Sequence, residues 1–266
     1  MKAIANDLIA EQALVDVLLA DLTEKEWMLP LPGCAPWDIR DAVLHIAFFD
    51  YAANKLMRGE AEDLVTLADA EAGQDKDYRP TAFYHLSGRE ALQWWREERT
   101  RLAAAFFNMN PKDRIPWAPG MPMSARSLCS ARLMELWAHS VDIYDALGKD
   151  VEVRDRIDST LFLSWQARAF AYRINGFEMP DTPLYLELTL PSGQLWSRGE
   201  PDAANVIKGS AKDWALVSVR RRNWMDTGLT VTGDEARRYA SIVQTYAGAA
   251  DAAPAPSSLR GVPAIP

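Results

Sequence analysis

The sequence predicts a mainly α protein, an antiparallel helix bundle over residues 1–176 followed by a small α+β domain over 177–248. Two observations predict it. Up to Gly176, apolar residues recur at helical spacing between proline and glycine stops. After Pro180 the period shortens to two, in brief segments separated by Gly, Pro and Asp. The hydrophobic fraction of 48% suffices for a sizeable core.

In order, Ile4, Leu8, Leu14, Val15, Leu18 and Leu19 stripe a first helix that ends near Thr23. A loop with Pro30, Pro32, Gly33 and Pro36 leads into "WDIRDAVLHIAFFDYAANKLMRG", a second helix terminated by Gly59. "EAEDLVTLADAEAGQDKD" reads as a short helix and a solvated loop. "SGREALQWWREERTRLAAAFFNMN" is a third long helix, with Ser87 and Glu90 at capping-box spacing. Prolines 111, 116, 119 and 122 make "PKDRIPWAPGMPMSARSL" a shaped loop. A fourth helix runs from about Ser124 to Leu147, with Gly148 beyond its end. "VRDRIDSTLFLSWQARAFAYRING" is a fifth, and together these helices make an up-and-down bundle.

"LYLELTL", "GQLWSR", "ANVIKG" and "GLTVTG" alternate and read as strands, while "SAKDWALVSVRRR" and "DEARRYASIVQTYAG" contain helices. Residues 249–266, rich in Ala, Pro and Ser and without periodicity, read as a flexible tail.

A net charge of −8 argues against nucleic acid as a partner. The Arg220, Arg221 and Arg222 cluster is too short to change this, though it suits a single anionic group. The N-terminal helix carries Asp7, Glu11, Asp16 and Asp21, unlike a signal peptide, and no run of about 18 apolar residues suggests a membrane span. Two cysteines, Cys34 and Cys129, offer no disulfide framework. The expectation is a cytoplasmic protein with a small-molecule substrate, for which a homodimer is an allowed assembly.

Chemistry enters with the histidines, of which there are three. "MELWAHSVDIYDALG" places Glu135 and His139 four residues apart, on one helix face. Taken alone, the plainer reading is a surface contact or a satisfied core histidine. His45, in "DAVLHIAFFD", changes the balance, because facing bundle helices can aim side chains at one interior point. Two imidazoles and a carboxylate suit a divalent metal with open positions, whereas structural zinc sites usually include cysteine.

"WDIRDAVLHIAFFD" and "RLMELWAHSVDIYDALG" together resemble the metal-binding domain of mycothiol-dependent maleylpyruvate isomerases, members of the DinB-like superfamily of four-helix bundles. The resemblance spans roughly residues 1–175 and implies His45, Glu135 and His139 as metal ligands. Zinc leads, with nickel, iron or manganese allowed by the donor types. It also implies a low-molecular-weight thiol co-substrate and isomerase or transferase chemistry. The second half is similar to the small C-terminal domain of such relatives, and to a module named for wyosine-base formation.

Alternatives remain at this point: a thiol-independent lyase or hydrolase using the same metal, and a non-catalytic metal-stabilised binding or stress protein. Catalytic candidates are Arg126 and Arg132 as carboxylate clamps, Trp117 as a pocket wall and Asp142 as a partner for a ligating histidine. Asp41 is a second such partner, Trp37 and Trp137 are further wall candidates, and surface or core roles compete for all of them. His85 reads as an incidental loop histidine, and the cysteines as small core residues outside the site.

Overall fold

The computed structural model describes residues 1–71 and 81–257, in two compact units, Met1–Val151 and Glu152–Pro266. The first unit contains α1 (Lys2–Ala20), α2 (Glu24–Trp27), α3 (Ile39–Met57), α4 (Leu64–Glu71), α5 (Gly88–Asn108), the strands β1 (Arg114–Ala118) and β2 (Met121–Ser124), and α6 (Ala125–Ala146).

Each long helix after the first begins at a polar cap that satisfies otherwise orphaned amides. Asp38 accepts from the Asp41 amide at 2.8 Å, and Asp41 accepts from the Asp38 amide at 3.2 Å. The buried Asp41 carboxylate is therefore part of a capping box. Ser87 and Glu90 form the expected box at the start of α5. Ser124 caps α6 through the Ser127 amide at 3.0 Å.

The helices α1 and α3 each pack on both α5 and α6, so α1 lies diagonally across the bundle from α3, and α5 from α6. Side-chain pairs fix the directions. Arg96 and Arg99 reach back to Asp16 and the Gln12 carbonyl, making α1 and α5 antiparallel. His45 with Glu135 and Asp50 with Arg132 make α3 and α6 antiparallel as well. Asp50 with Trp95 and Asn54 with Glu98 advance together, so α3 and α5 run parallel. Strict up-and-down order is thus broken once. The reason is the long connection through α4, which returns the chain to the starting end of α3. The solvated loop expected after α4 lies largely outside the described residues.

The proline-rich loop forms a hairpin, with Arg114 opposite Ser124, Ile115 opposite Met123, and a bulge before Ala118. Gly120 supplies the positive φ of +68° at its turn. Prolines 116 and 122 offer no amide donor, which keeps this ribbon short and irregular.

The second unit contains α7 (Asp158–Gln166), α8 (Arg168–Ile174), β3 (Leu184–Thr189), β4 (Leu195–Gly199), β5 (Asn205–Ser210), α9 (Ala211–Ser218), β6 (Thr230–Thr232) and α10 (Asp234–Ile242). Its sheet has the order β4-β3-β5-β6, with β3 and β5 parallel and the outer pairs antiparallel. All the strands and both helices expected after residue 180 are present. The fifth helix breaks at Ala167 into α7 and α8 and belongs to this unit, so the division falls before the boundary expected at 176. Its polar partners explain why. Trp214 donates to Ser164 at 2.8 Å, Tyr239 donates to the Ser164 carbonyl, and Arg168 and Tyr172 both meet Glu235.

Arg220 is buried and donates to the carbonyls of Ser241 and Asp251, both at 2.8 Å. It therefore ties down the start of the segment expected as a tail instead of waiting for an anion. Residues 258–266 lie outside the described ones. No helix among the described residues is long and apolar enough to cross a membrane.

The hydrogen bond from Arg96, opposed in part by burial, holds the Asp16 carboxyl below the usual carboxylate range. A depressed folded pKa contributes stability above the unfolded value of about 3.9, and that contribution is lost as pH falls through the folded value. Asp16→Asn should therefore lower the melting temperature near neutral pH, and its gap to the wild type should narrow as pH falls below the unfolded value of about 3.9. Melting curves at stepped pH check this; an equal deficit at every pH contradicts it.

Candidate metal centre

The Asp38 cap starts α3 so that His45 falls two turns in, on the face toward α6. On α6, Glu135 and His139 occupy one face a single turn apart. The His45 Nε2 atom lies 4.0 Å from Glu135 Oε2, and His139 Nε2 lies 3.7 Å from the same oxygen. Both distances fall inside the span of two metal bonds of about 2.0–2.2 Å. One ligand atom from each residue can be chosen so that all lie within 4.8 Å of one another. Two imidazole nitrogens and one carboxylate converging in this way fit a divalent cation. The side chain of His139 is the most buried of the three, while His45 and Glu135 remain partly exposed on the open side.

Support comes from the far side of His139. Its Nδ1 lies 3.1 Å from Asp142, a fully buried carboxylate. Asp142 also accepts from the Cys34 thiol at 3.2 Å. An Nδ1–H donated to Asp142 leaves the Nε2 lone pair facing Glu135 and His45. Cys34, His139 and Asp142 form a second set of converging donors on the opposite nitrogen of the same ring. Spacing hid Cys34, because it sits on the loop before α3 and meets α6 only across the fold. By contrast, burial pushes the Cys129 thiol up to about 12, as befits a core residue.

Aromatic rings enclose the histidines. Trp37 stacks on His139 at 5.6 Å and 17°, and lies 4.9 Å from His45. Phe49, one turn beyond His45, approaches it to 4.5 Å, and Trp117 reaches the group through Phe49 at 6.1 Å. Trp137 is buried and, among the described residues, makes no ring contact with either histidine. His85 is exposed, with Nδ1 3.2 Å from the Ala82 carbonyl, away from the cluster.

The two arginine candidates separate. Arg126 is exposed in the first turn of α6, two and a half turns from Glu135. The Arg132 guanidinium is buried against Asp50, with Nε 2.9 Å from Oδ1, so it is engaged inside the bundle and does not clamp a substrate carboxylate. Asp50 escaped sequence reasoning, although a single acid within "HIAFFDYAA" was a signal for a buried charge.

A profile of the family described as Mycothiol maleylpyruvate isomerase N-terminal domain matches residues 8–144, a span that includes His45, Glu135 and His139. The chain is also 35% identical over 244 residues to uncharacterized proteins from two Mycobacterium tuberculosis strains, CDC 1551 / Oshkosh and H37Rv. These alignments cover 91% of this chain and 94% of each relative. In fold it is similar to a crystal structure of a mycothiol-dependent maleylpyruvate isomerase, with a TM-score of 0.57 at 16% identity, over 86% of this chain and 92% of that one. A mutant of such an isomerase gives 0.56 at 15% identity, over 83% and 89%.

Replacing Asp142 by Asn should lower zinc affinity about tenfold to a hundredfold, because the His139 tautomer is no longer fixed by a carboxylate. His45→Ala and His139→Ala should each abolish stoichiometric binding. Metal analysis of untagged protein after dialysis checks both, and a full equivalent of metal in either histidine variant contradicts the assignment.

Proposed function

The chain belongs to the mycothiol maleylpyruvate isomerase N-terminal domain family, and from that membership we propose a metal-dependent enzyme with a low-molecular-weight thiol as co-substrate. It works as an isomerase or thiol transferase on a small unsaturated or aromatic acceptor. The observation that carries this reading is the convergence of His45, Glu135 and His139 from two helices. Zinc leads among the candidate ions, and nickel, iron and manganese match the same donors. A divalent ion held by these residues supplies a Lewis acid that favours the thiolate form of a bound thiol near neutral pH.

The protein's own groups have separable tasks. Asp142 orients His139, and Glu135 contributes the single negative charge of the donor set. One carboxylate with two neutral imidazoles would leave a divalent ion with one net positive charge, which suits an anionic sulfur. Trp37 and Phe49 exclude water beside the histidines and offer ring faces to a planar acceptor. In an isomerisation the thiol adds to one alkene carbon, the resulting single bond rotates, and the thiol departs. In a transfer the new carbon–sulfur bond persists and another group leaves. The thiol-free lyase and hydrolase alternatives draw no support from the relatives.

Metal-loaded protein offered unsaturated acids and aromatic electrophiles should turn over only with mycothiol or a comparable thiol present. Glu135→Gln, similar in size but uncharged, should reduce kcat/KM by about a hundredfold or more. Turnover unchanged by thiol overturns the thiol assignment. Full activity in metal-free protein overturns the metal assignment.

A further inference from the structure

We propose that Arg132 and Asp50 are positioning residues that set the register of α3 against α6 and so hold the metal ligands in a common geometry. The proposal rests on the metal reading above. Arg132 lies one turn before Glu135 on α6, and its Nε donates to Asp50 Oδ1 at 2.9 Å. Its Nη2 donates at 3.3 Å to the carbonyl of Ile46, the residue that follows His45. Trp95 on α5 donates to the other Asp50 oxygen at 3.1 Å. Phe49 lies 5.6 Å beneath the guanidinium and 4.5 Å from the His45 ring. One buried pair therefore links three helices, with Arg132 one turn from Glu135 and bonded to the carbonyl next to His45.

Stability is a weak reason for such a pair. Desolvating two charges offsets their attraction, and well-packed apolar replacements of buried ion pairs are often neutral or stabilising. Apolar side chains lack direction, however. The fork of Arg132 meets a carboxylate and a backbone carbonyl in one arrangement only. A slip of one residue along α6 moves a side chain about 1.5 Å along the axis and about 100° around it. That displacement takes Glu135 and His139 out of reach of His45.

The test compares the full-length wild type with Asp50→Leu combined with Arg132→Met, and with Arg132→Lys alone. Zinc affinity is read by competition with a chromophoric chelator, ligand geometry by the visible spectrum of cobalt(II), and folding by the melting temperature of metal-free protein. The double variant should melt within a few degrees of the wild type yet bind zinc about tenfold to a hundredfold more weakly, with an altered cobalt spectrum. A folded double variant with wild-type affinity and spectrum overturns the proposal. Should it not fold, Arg132→Lys decides: it keeps the charge and loses the fork, so weaker binding supports the proposal and unchanged binding overturns it. A wild type that takes up neither zinc nor cobalt overturns the metal reading itself, a separate result because it needs no variant.

Discussion

His139 sits with Nδ1 3.1 Å from Asp142 and Nε2 3.7 Å from Glu135, and much of the first unit is organised around keeping that ring in place. Its two nitrogens have different tasks, since one meets a buried carboxylate and the other faces the convergence point. Trp37 covers the ring face, and the loop that brings Trp37 also brings Cys34 to Asp142. None of this has chemical consequence unless His45, on another helix, arrives at the same point. The site therefore depends on helix register, a property of the core and not of any ligand.

The core is built accordingly. Between α3, α5 and α6 it contains Asp50, Arg132, Asn54 and Glu98, all buried and all hydrogen-bonded. An apolar interior would satisfy the hydrophobic effect, but it tolerates sliding and repacking more readily than directional bonds do. Buried polar groups cost stability unless paired, so their presence on the helices that carry the candidate ligands places specificity above raw stability.

Local physics was legible in the sequence. Ser87 with Glu90 marked the start of α5, and Gly148 marked the end of α6 with a φ of +63°. The i,i+4 spacing of Glu135 and His139 favoured a plain structural pair when taken alone, and His45 with the family resemblance was needed to raise the three as candidate ligands. Properties that depend on distant partners were hidden. Arg126 and Arg132 look alike in sequence, and only Asp50, 82 positions before Arg132, separates a buried strut from an exposed side chain. The fifth helix looked like part of the bundle because its docking partners, Trp214, Glu235 and Tyr239, lie far downstream. The parallel course of α3 and α5 depends on how a long connection travels, which periodicity does not encode. Cys34 approaches His139 only because the loop before α3 folds back on α6.

That approach of Cys34 gives the account its sharpest alternative, because the His139 ring stands between two donor sets. X-ray absorption at the zinc edge of the reconstituted full-length protein separates them directly. An ion on His45, Glu135 and His139 should show a first shell of nitrogen and oxygen at about 2.0–2.2 Å, with imidazole scattering beyond it and no sulfur. A sulfur shell at about 2.3 Å in protein free of added thiol would place the ion on Cys34, Asp142 and the Nδ1 atom of His139, and would contradict the assignment to His45, Glu135 and His139.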